Sequence, residues 1–479
     1  MKIGIGVVLL LLVVLVASPF YIGKKIEDRA QQQIMAYQMA GFQYRLDVER
    51  SYRSSVLKYG IAVEPELLVT SYELSPSEAN ELSEALAKAE VKVHAQHGPI
   101  LTENGFGLGW ADLSLRLDKS VSPDLAEILE LMNVDEFFTA DTRVSLTGSG
   151  DIEFSAPRMG YVDPDTGDNL RFNGLTGQGN FSEFGREYSM NSRIQGAIVA
   201  AEFAYIAIGP ISSSVQVDID KGYTYWGDVA SEFGFESIIY SSESANISIS
   251  DMQISAGAED GDTSEVGDIE YVLEVDTFDL GSLELEDIEA SFAYTNIDKQ
   301  FFEDYMTMAL SLNPDDQESM NAEILSFFEA ELPTVLAAGP GVSMPKLAFS
   351  HEGRDFDAGI DIAIDAQKIP DGFSFDPQNL FALVPALIGQ LRLDADESLV
   401  NYLMLRRAEN SVDASLAHFI EDEVTPEMRQ ELIDQQAAAM LDIAEGQGFV
   451  VKENGRVQSE ISLADSALDI NGKAMPLPF

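Results

Sequence analysis

Four histidines, 81 acidic residues and no cysteine bound the chemistry open to this chain of 479 residues. His94 and His97 stand three apart in the alternating stretch VKVHAQH. On a strand that spacing sends them to opposite faces, so they cannot share a metal ion. His351 and His418 stand alone. Without cysteine there is no thiolate nucleophile, disulfide or thiolate metal site. HExxH, GxSxG, a phosphate-cradling P-loop and a GxGxxG opening a helix are all absent. Two groups remain. His97-Gly98-Pro99 forces a sharp exit from a strand, and the favoured reading is structural, an imidazole bonded to backbone where the chain turns. DPDTGDN at 163–169 offers Asp163, Asp165 and Asp168 to a hard cation, which takes several oxygens from a tight loop. It lacks the sixth-position glycine and closing glutamate of an EF-hand, which makes these three weak metal candidates. Carboxylate pairs for glycoside hydrolysis depend on a spatial separation that sequence hides. The residues name no catalytic group and no cofactor.

The elements that must position these residues are mostly strands. YRLDVERSYRSSVLKYGIAVE is strand-like, and SEANELSEALAKAE at 77–90 has helical composition, with an acidic extended strand as the alternative. VQVDID, Lys221-Gly222 and YTYWG form a hairpin pattern. NISISDMQIS, DIEYVLEVDTFDL and LELEDIEASFAYTNID alternate apolar with acidic or hydroxyl residues, the period of antiparallel strands with one wet face. AGAEDGDTSEVGD at 256–268 reads as a loop between two of them. Helices are expected over 298–338, with Asp298 as N-cap, and over 376–391, where PQNLFALVPALIGQL is apolar nearly all round. LAFSHEGRDFDAGIDIAIDA returns to strand. Thr425-Pro426-Glu427 starts a helix that stops at Gly446, and Asn-Gly turns at 454–455 and 471–472 punctuate a closing β meander.

The chain opens MKIGIGVVLLLLVVLVASPFYIGKK, and from Ile3 to Gly23 no residue is charged. That is 21 residues, and about 20 cross the hydrocarbon core as a helix. Pro19 follows the only small-residue cleavage candidate, Ala17-Ser18, so a retained anchor is favoured over a cleaved signal peptide. The basic residues flanking the span place the body in the cytoplasm, while the position of the span at the amino terminus favours export. The formal net charge is −52. Residues 1–60 hold eight Lys/Arg against four Asp/Glu, and residues 151–300 hold six against 29. Such a field repels phosphate backbones, which excludes nucleic-acid binding. It suits salty surroundings, where self-repulsion is screened.

Four islands together resemble the YdgA-like (DUF945) family of bacterial envelope proteins. They are the anchor with YIGKKIED, the stretch SYRSSVLKYGIAV, His97-Gly98-Pro99, and the tail ALDINGKAMPLP. Where the family carries glycine after Tyr-Arg, this chain has Ser54. The resemblance implies a single-pass protein of the bacterial inner membrane with its body in the periplasm and no established activity. The reading is therefore an α+β fold, with an N-terminal transmembrane helix followed by a large, mostly antiparallel β body with several packed helices. Its divisions are a signal anchor at 1–25, a juxtamembrane helix at 26–44, a β-rich lobe at 45–295 and an α+β lobe at 296–479. The expected function is non-catalytic, binding an apolar ligand, a lipid or an envelope protein, or self-associating. A periplasmic hydrolase using clustered carboxylates is the alternative.

Overall fold

The structure, a computed structural model, describes residues 19, 21–28, 30–31 and 41–476, except 73, 104, 244, 262, 282, 313–316, 371–372, 374–379 and 417–424. Most of the expected span at 3–23, part of the stretch 26–44 and His418 lie outside the described residues. Among those described, no helix is long and apolar enough to cross a membrane.

The chain divides into two compact units, residues 1–243 with 302–328, and residues 244–301 with 329–479. The division falls near 243 rather than 295 because strand Asn246–Asp260 pairs onward with Val266–Asp279, Glu284–Asp298 and Gly341–His351.

In the first unit, alternation builds one antiparallel sheet. From one edge its strands are Phe42–Arg50, Ser54–Val63, Val91–His97, Ala111–Asp118, Glu136–Val144, Gly150–Ala156, Leu175–Ser182, Glu187–Ile194, Ile211–Ile219 and Gly227–Ser242. Four shorter strands, Met159–Val162, Asn169–Phe172, Ala197–Ala201 and Ala204–Ile208, extend it beyond a break. The breaks lie side by side at Pro157-Arg158, Asn173-Gly174, Gln195-Gly196 and Gly209-Pro210. Proline has no donor for a ladder, and the φ values of Gly174 and Gly196, +104° and +106°, suit glycine alone. The backbones still pair along the break, where Asn173 N donates to Gly196 O at 2.9 Å and Gln195 N to Gly174 O at 2.8 Å. The sheet is thus creased along a line and stays hydrogen-bonded.

Register sorts the side chains. Leu57, Val93, Leu115, Ala140 and Phe154 are successive partners and share one face. Asp141, Glu153, Gln178 and Asn191 share the other, and the wet face explains their acids and amides. Between strands two and three the helices Pro65–Tyr72 and Pro76–Lys88 cover Val63, Leu67, Leu68 and Ala79. The second begins in a capping box, Ser75 bonding the Glu78 amide and Glu78 bonding back.

The second unit has its own run of strands, Asn246–Asp260, Val266–Asp279, Glu284–Asp298 and Gly341–His351 followed by Arg354–Ile364, Leu387–Asp396, Arg456–Ala464, Ala467–Ile470 and Lys473–Pro476. Helices Glu397–Leu416 and Pro426–Gly446 pack there, burying Ala395, Val400, Leu441 and Val457, and Ala408 with Ile433 and Ala437 between themselves. Thr425 caps the second helix, and Asp298 caps Lys299–Ser311 by accepting from Phe301 N at 2.8 Å.

Several expectations need correction. By Phe42 the juxtamembrane helix expected to residue 44 has given way to strand. Of the apolar helix expected at 376–391, residues 376–379 lie outside the described residues, and the rest is a 3-10 turn, Leu380–Ala386, followed by strand Leu387–Asp396, whose burial alternates with period two. Pro385 lies within that turn. The loop expected at 256–268 is mainly strand, since the paired backbone runs to Asp260 and resumes at Val266. After Lys221-Gly222 the second strand starts at Gly227, so Tyr223–Trp226 belong to the turn.

Candidate functional site

Three of the four sequence islands meet at one end of the first unit's sheet. His97 closes its strand fully buried, with Nε2 2.8 Å from Ser55 Oγ. Its amide donates to Arg53 O at 2.7 Å, and Gly98 N donates to Trp110 O at 2.6 Å. At Gly98 a Cβ would stand 1.7 Å from Gly109 O, so only glycine permits this approach. The helical residues 21–28 close the junction from above. A Cβ on Gly23 would lie 2.3 Å from His97 Cε1, and the Tyr21 and Trp110 ring centres are 6.4 Å apart. Burial pushes the His97 imidazole below its ordinary value; the Arg50 charge adds to this, and backbone groups of Tyr52 and Pro19 offset part of it. His97 Nδ1 has no hydrogen-bond partner among the described residues.

Ser55 with His97 has the residue types of a nucleophile and its base. Ser55 is 2% exposed, however, and Nδ1 carries no orienting carboxylate. The pair holds three chain segments together and offers a substrate no approach. Sequence reading found His97, Gly98 and Pro99 but missed Ser55 and Gly23. Ser55 sits 42 residues from His97, and only the strand register links them.

The three aspartates behave differently. Asp163 Oδ1 accepts from Asp165 N at 2.8 Å and Thr166 N at 3.0 Å, and those bonds hold its carboxyl below the usual range. Asp165 is exposed, and Asp168 N donates to Thr166 Oγ1 at 3.2 Å. The cluster closes its own turn. Among the described residues no group of three or more His, Asp or Glu is placed to hold a metal ion. His351, in the second unit, bonds the Glu284 carbonyl through Nδ1 at 2.6 Å and stacks on Tyr402. There too the tail island is fixed, with Asn471 bonding Gly448 O and Glu460 N at 2.8 Å each.

The sheet's apolar face holds the remaining candidate. Ile152, Phe154, Met190, Ile194, Val215 and Phe235 all lie on it, and each is only half-buried. Two cavities open there. One, of about 390 Å3, lies between Lys25, Ile26 and Ala30 above and Leu57, Val93 and Leu113 below. The other, of about 350 Å3, sits at the crease among Phe138, Ala156, Met159, Leu170, Phe172 and Leu175. Small-ligand pockets run from about 300 Å3 upward, with mostly apolar walls. On this face Phe154 covers Gly177, where a Cβ would come within 2.1 Å of the ring, so glycine lets an aromatic lie flat on the sheet.

Among curated proteins and among solved structures none matches the chain. A family described as bacterial protein of unknown function (DUF945) matches residues 1–478. That is nearly the whole length, and the chain belongs to the DUF945 family.

Proposed function

We propose that this protein is a non-catalytic, membrane-anchored protein of the bacterial cell envelope, facing the periplasm, that binds an elongated apolar ligand such as a lipid acyl chain on the creased sheet of its first unit. One observation carries the reading. A row of large apolar side chains runs along one face of that sheet without being fully buried, and cavities of about 390 and 350 Å3 open on it. Leaving that area wet has a cost of about 25 cal/mol per Å2, which a bound apolar molecule would remove. The 21 uncharged residues from Ile3 to Gly23 support the anchor.

The test is titration of the purified protein with an environment-sensitive apolar probe, N-phenyl-1-naphthylamine, displaced by fatty acid. Leu175→Glu places a charge in the crease cavity and should weaken binding at least about tenfold, the equivalent of 1.4 kcal/mol. Thr176→Glu, one residue away on the exposed face, should leave it unchanged. Equal binding by wild type and a folded Leu175→Glu protein would remove the reading.

A further inference from the structure

We infer that the end of the first unit's sheet where the chain emerges from Pro19 is a membrane seat, whose loop tips insert apolar side chains into the interfacial layer of a lipid bilayer. The inference goes beyond ligand binding but rests on the anchor proposed above.

Register fixes which turns share this end. Arg50 pairs with Ser55, Ser54 with Gln96, His97 with Ala111, Ala111 with Val144, and Glu187 with Asp218. The segments 51–53, 98–110, 145–149, 183–186 and 220–226 therefore all project from the same edge. The helices and turns at 64–90, 119–135, 163–168 and 202–203 project from the other.

The two ends differ in charge. The first set holds three basic residues, Arg53, Arg186 and Lys221, and three acidic ones, Glu103, Glu183 and Asp220, and Glu303, docked on the amides of Thr224, Tyr225 and Trp226, adds a fourth acid. The second set holds fifteen acidic residues against two basic. In a chain of net charge −52 a near-neutral end is unusual, and of the two ends of this sheet it is the one an anionic bilayer would repel less.

Apolar tips stand in solvent at the near-neutral end too, as Phe203 and Leu131 do at the acidic one. Phe106 is 82% exposed and Leu108 62%, with Leu146, Phe184 and Tyr52 each at least half exposed. The described residues of loop 98–110, which presents the first two, are tied down at several points. Arg143 grips the buried Asp112 through two bonds of 2.7 and 2.8 Å and donates to Gly105 O at 2.8 Å. Arg53 donates to Ile100 O at 3.1 Å, and the Gln96 side chain accepts from Thr102 N and Glu103 N. Aromatic side chains at this level of a bilayer gain an apolar surround and keep the polar backbone wet.

The span's position supplies the continuity. Tyr21 and Gly23 touch this end through Trp110 and His97, and the sequence before Pro19 is uncharged back to Ile3. A body tethered there has its near-neutral, aromatic end within reach of the lipid and its acidic end away from it.

The absence of cysteine makes the test clean. Full-length Phe106→Cys, Leu108→Cys and Phe203→Cys proteins are labelled with NBD and reconstituted in vesicles of phosphatidylethanolamine and phosphatidylglycerol. Phe203 is the control, being 74% exposed at the acidic end. At 106 and 108 the label should shift to the blue and be quenched by doxyl-labelled lipid, while at 203 it should remain water-like. Water-like emission at 106 and 108 from protein that floats with the vesicles would overturn the seat and leave the anchor standing. Protein that does not float with vesicles would remove the anchor, and the seat with it.

Discussion

Replacing Gly23 with alanine sets two effects of known sign against each other. Residues 21–28 are helical, and in a helix interior alanine is better than glycine by about 0.5–1 kcal/mol. The new Cβ, however, would stand 2.3 Å from His97 Cε1 and 2.7 Å from Nδ1. His97 cannot yield easily, being fully buried, bonded to Ser55 and fixed by its own amide to Arg53 O. Overpacking of this kind costs about 1–3 kcal/mol. The clash should therefore win, with a net destabilisation of roughly 1–2 kcal/mol, or about 2–8 °C in Tm for a unit of this size. Thermal unfolding followed by Trp110 fluorescence in a Trp226→Phe background reads the change where the helix docks. In a His97→Ala background the ring is gone, and the same substitution should be neutral or mildly stabilising. A Gly23→Ala protein as stable as the parent, with His97 intact, would refute the close docking of the helix on His97.

Three further outcomes follow from the same physics. Burial holds the His97 pKa below its ordinary value of about 6.5, so on acidification the unfolded chain takes up its proton first. Its share of stability is present above about pH 6.5 and declines as pH falls through that value toward the lower folded pKa. The Tm advantage of wild type over His97→Gln should thus shrink between about pH 8 and pH 5, and a constant gap would contradict this. Glu303, nearly buried, accepts from the amides of Thr224, Tyr225 and Trp226, so Glu303→Ala should cost about 2–3 kcal/mol by urea melts, against near-neutrality if that turn is held otherwise. Beyond residue 60 the chain holds 77 acidic and 21 basic residues, so Tm should rise from about 10 mM to about 1 M NaCl as self-repulsion is screened, and a flat or falling midpoint would count against it.

Much of the architecture was legible because its signals are local. The alternation in NISISDMQIS and DIEYVLEVDTFDL needs only neighbouring residues, as do the Thr425 cap and the Asn-Gly turns at 454 and 471, and each appears in the structure as read. The stretch 387–391 misled because it adjoins an apolar run and its alternation shows only once the strand is followed to Asp396. The crease is invisible from one strand. A glycine or proline in each of four strands is unremarkable until register lines up Pro157, Gly174, Gly196 and Pro210. At the His97 junction sequence supplied the turn, and only pairing across 42 residues brought Ser55 to the ring. For the aspartates at 163–168 the residue types suggest a cation, and the structure adds that two backbone amides bond Oδ1 of Asp163.

Photo-crosslinking in intact cells tests the binding claim most directly, because no detergent competes for the apolar face. A benzophenone amino acid is placed singly at Phe154 and Met190 on the apolar face, and at Glu153 and Asn191 on the polar one. Cells carrying radiolabelled phospholipid are then irradiated. The expected result is labelled lipid joined to protein from positions 154 and 190 and none from 153 and 191. Equal labelling from both faces, or none from either, would contradict the account.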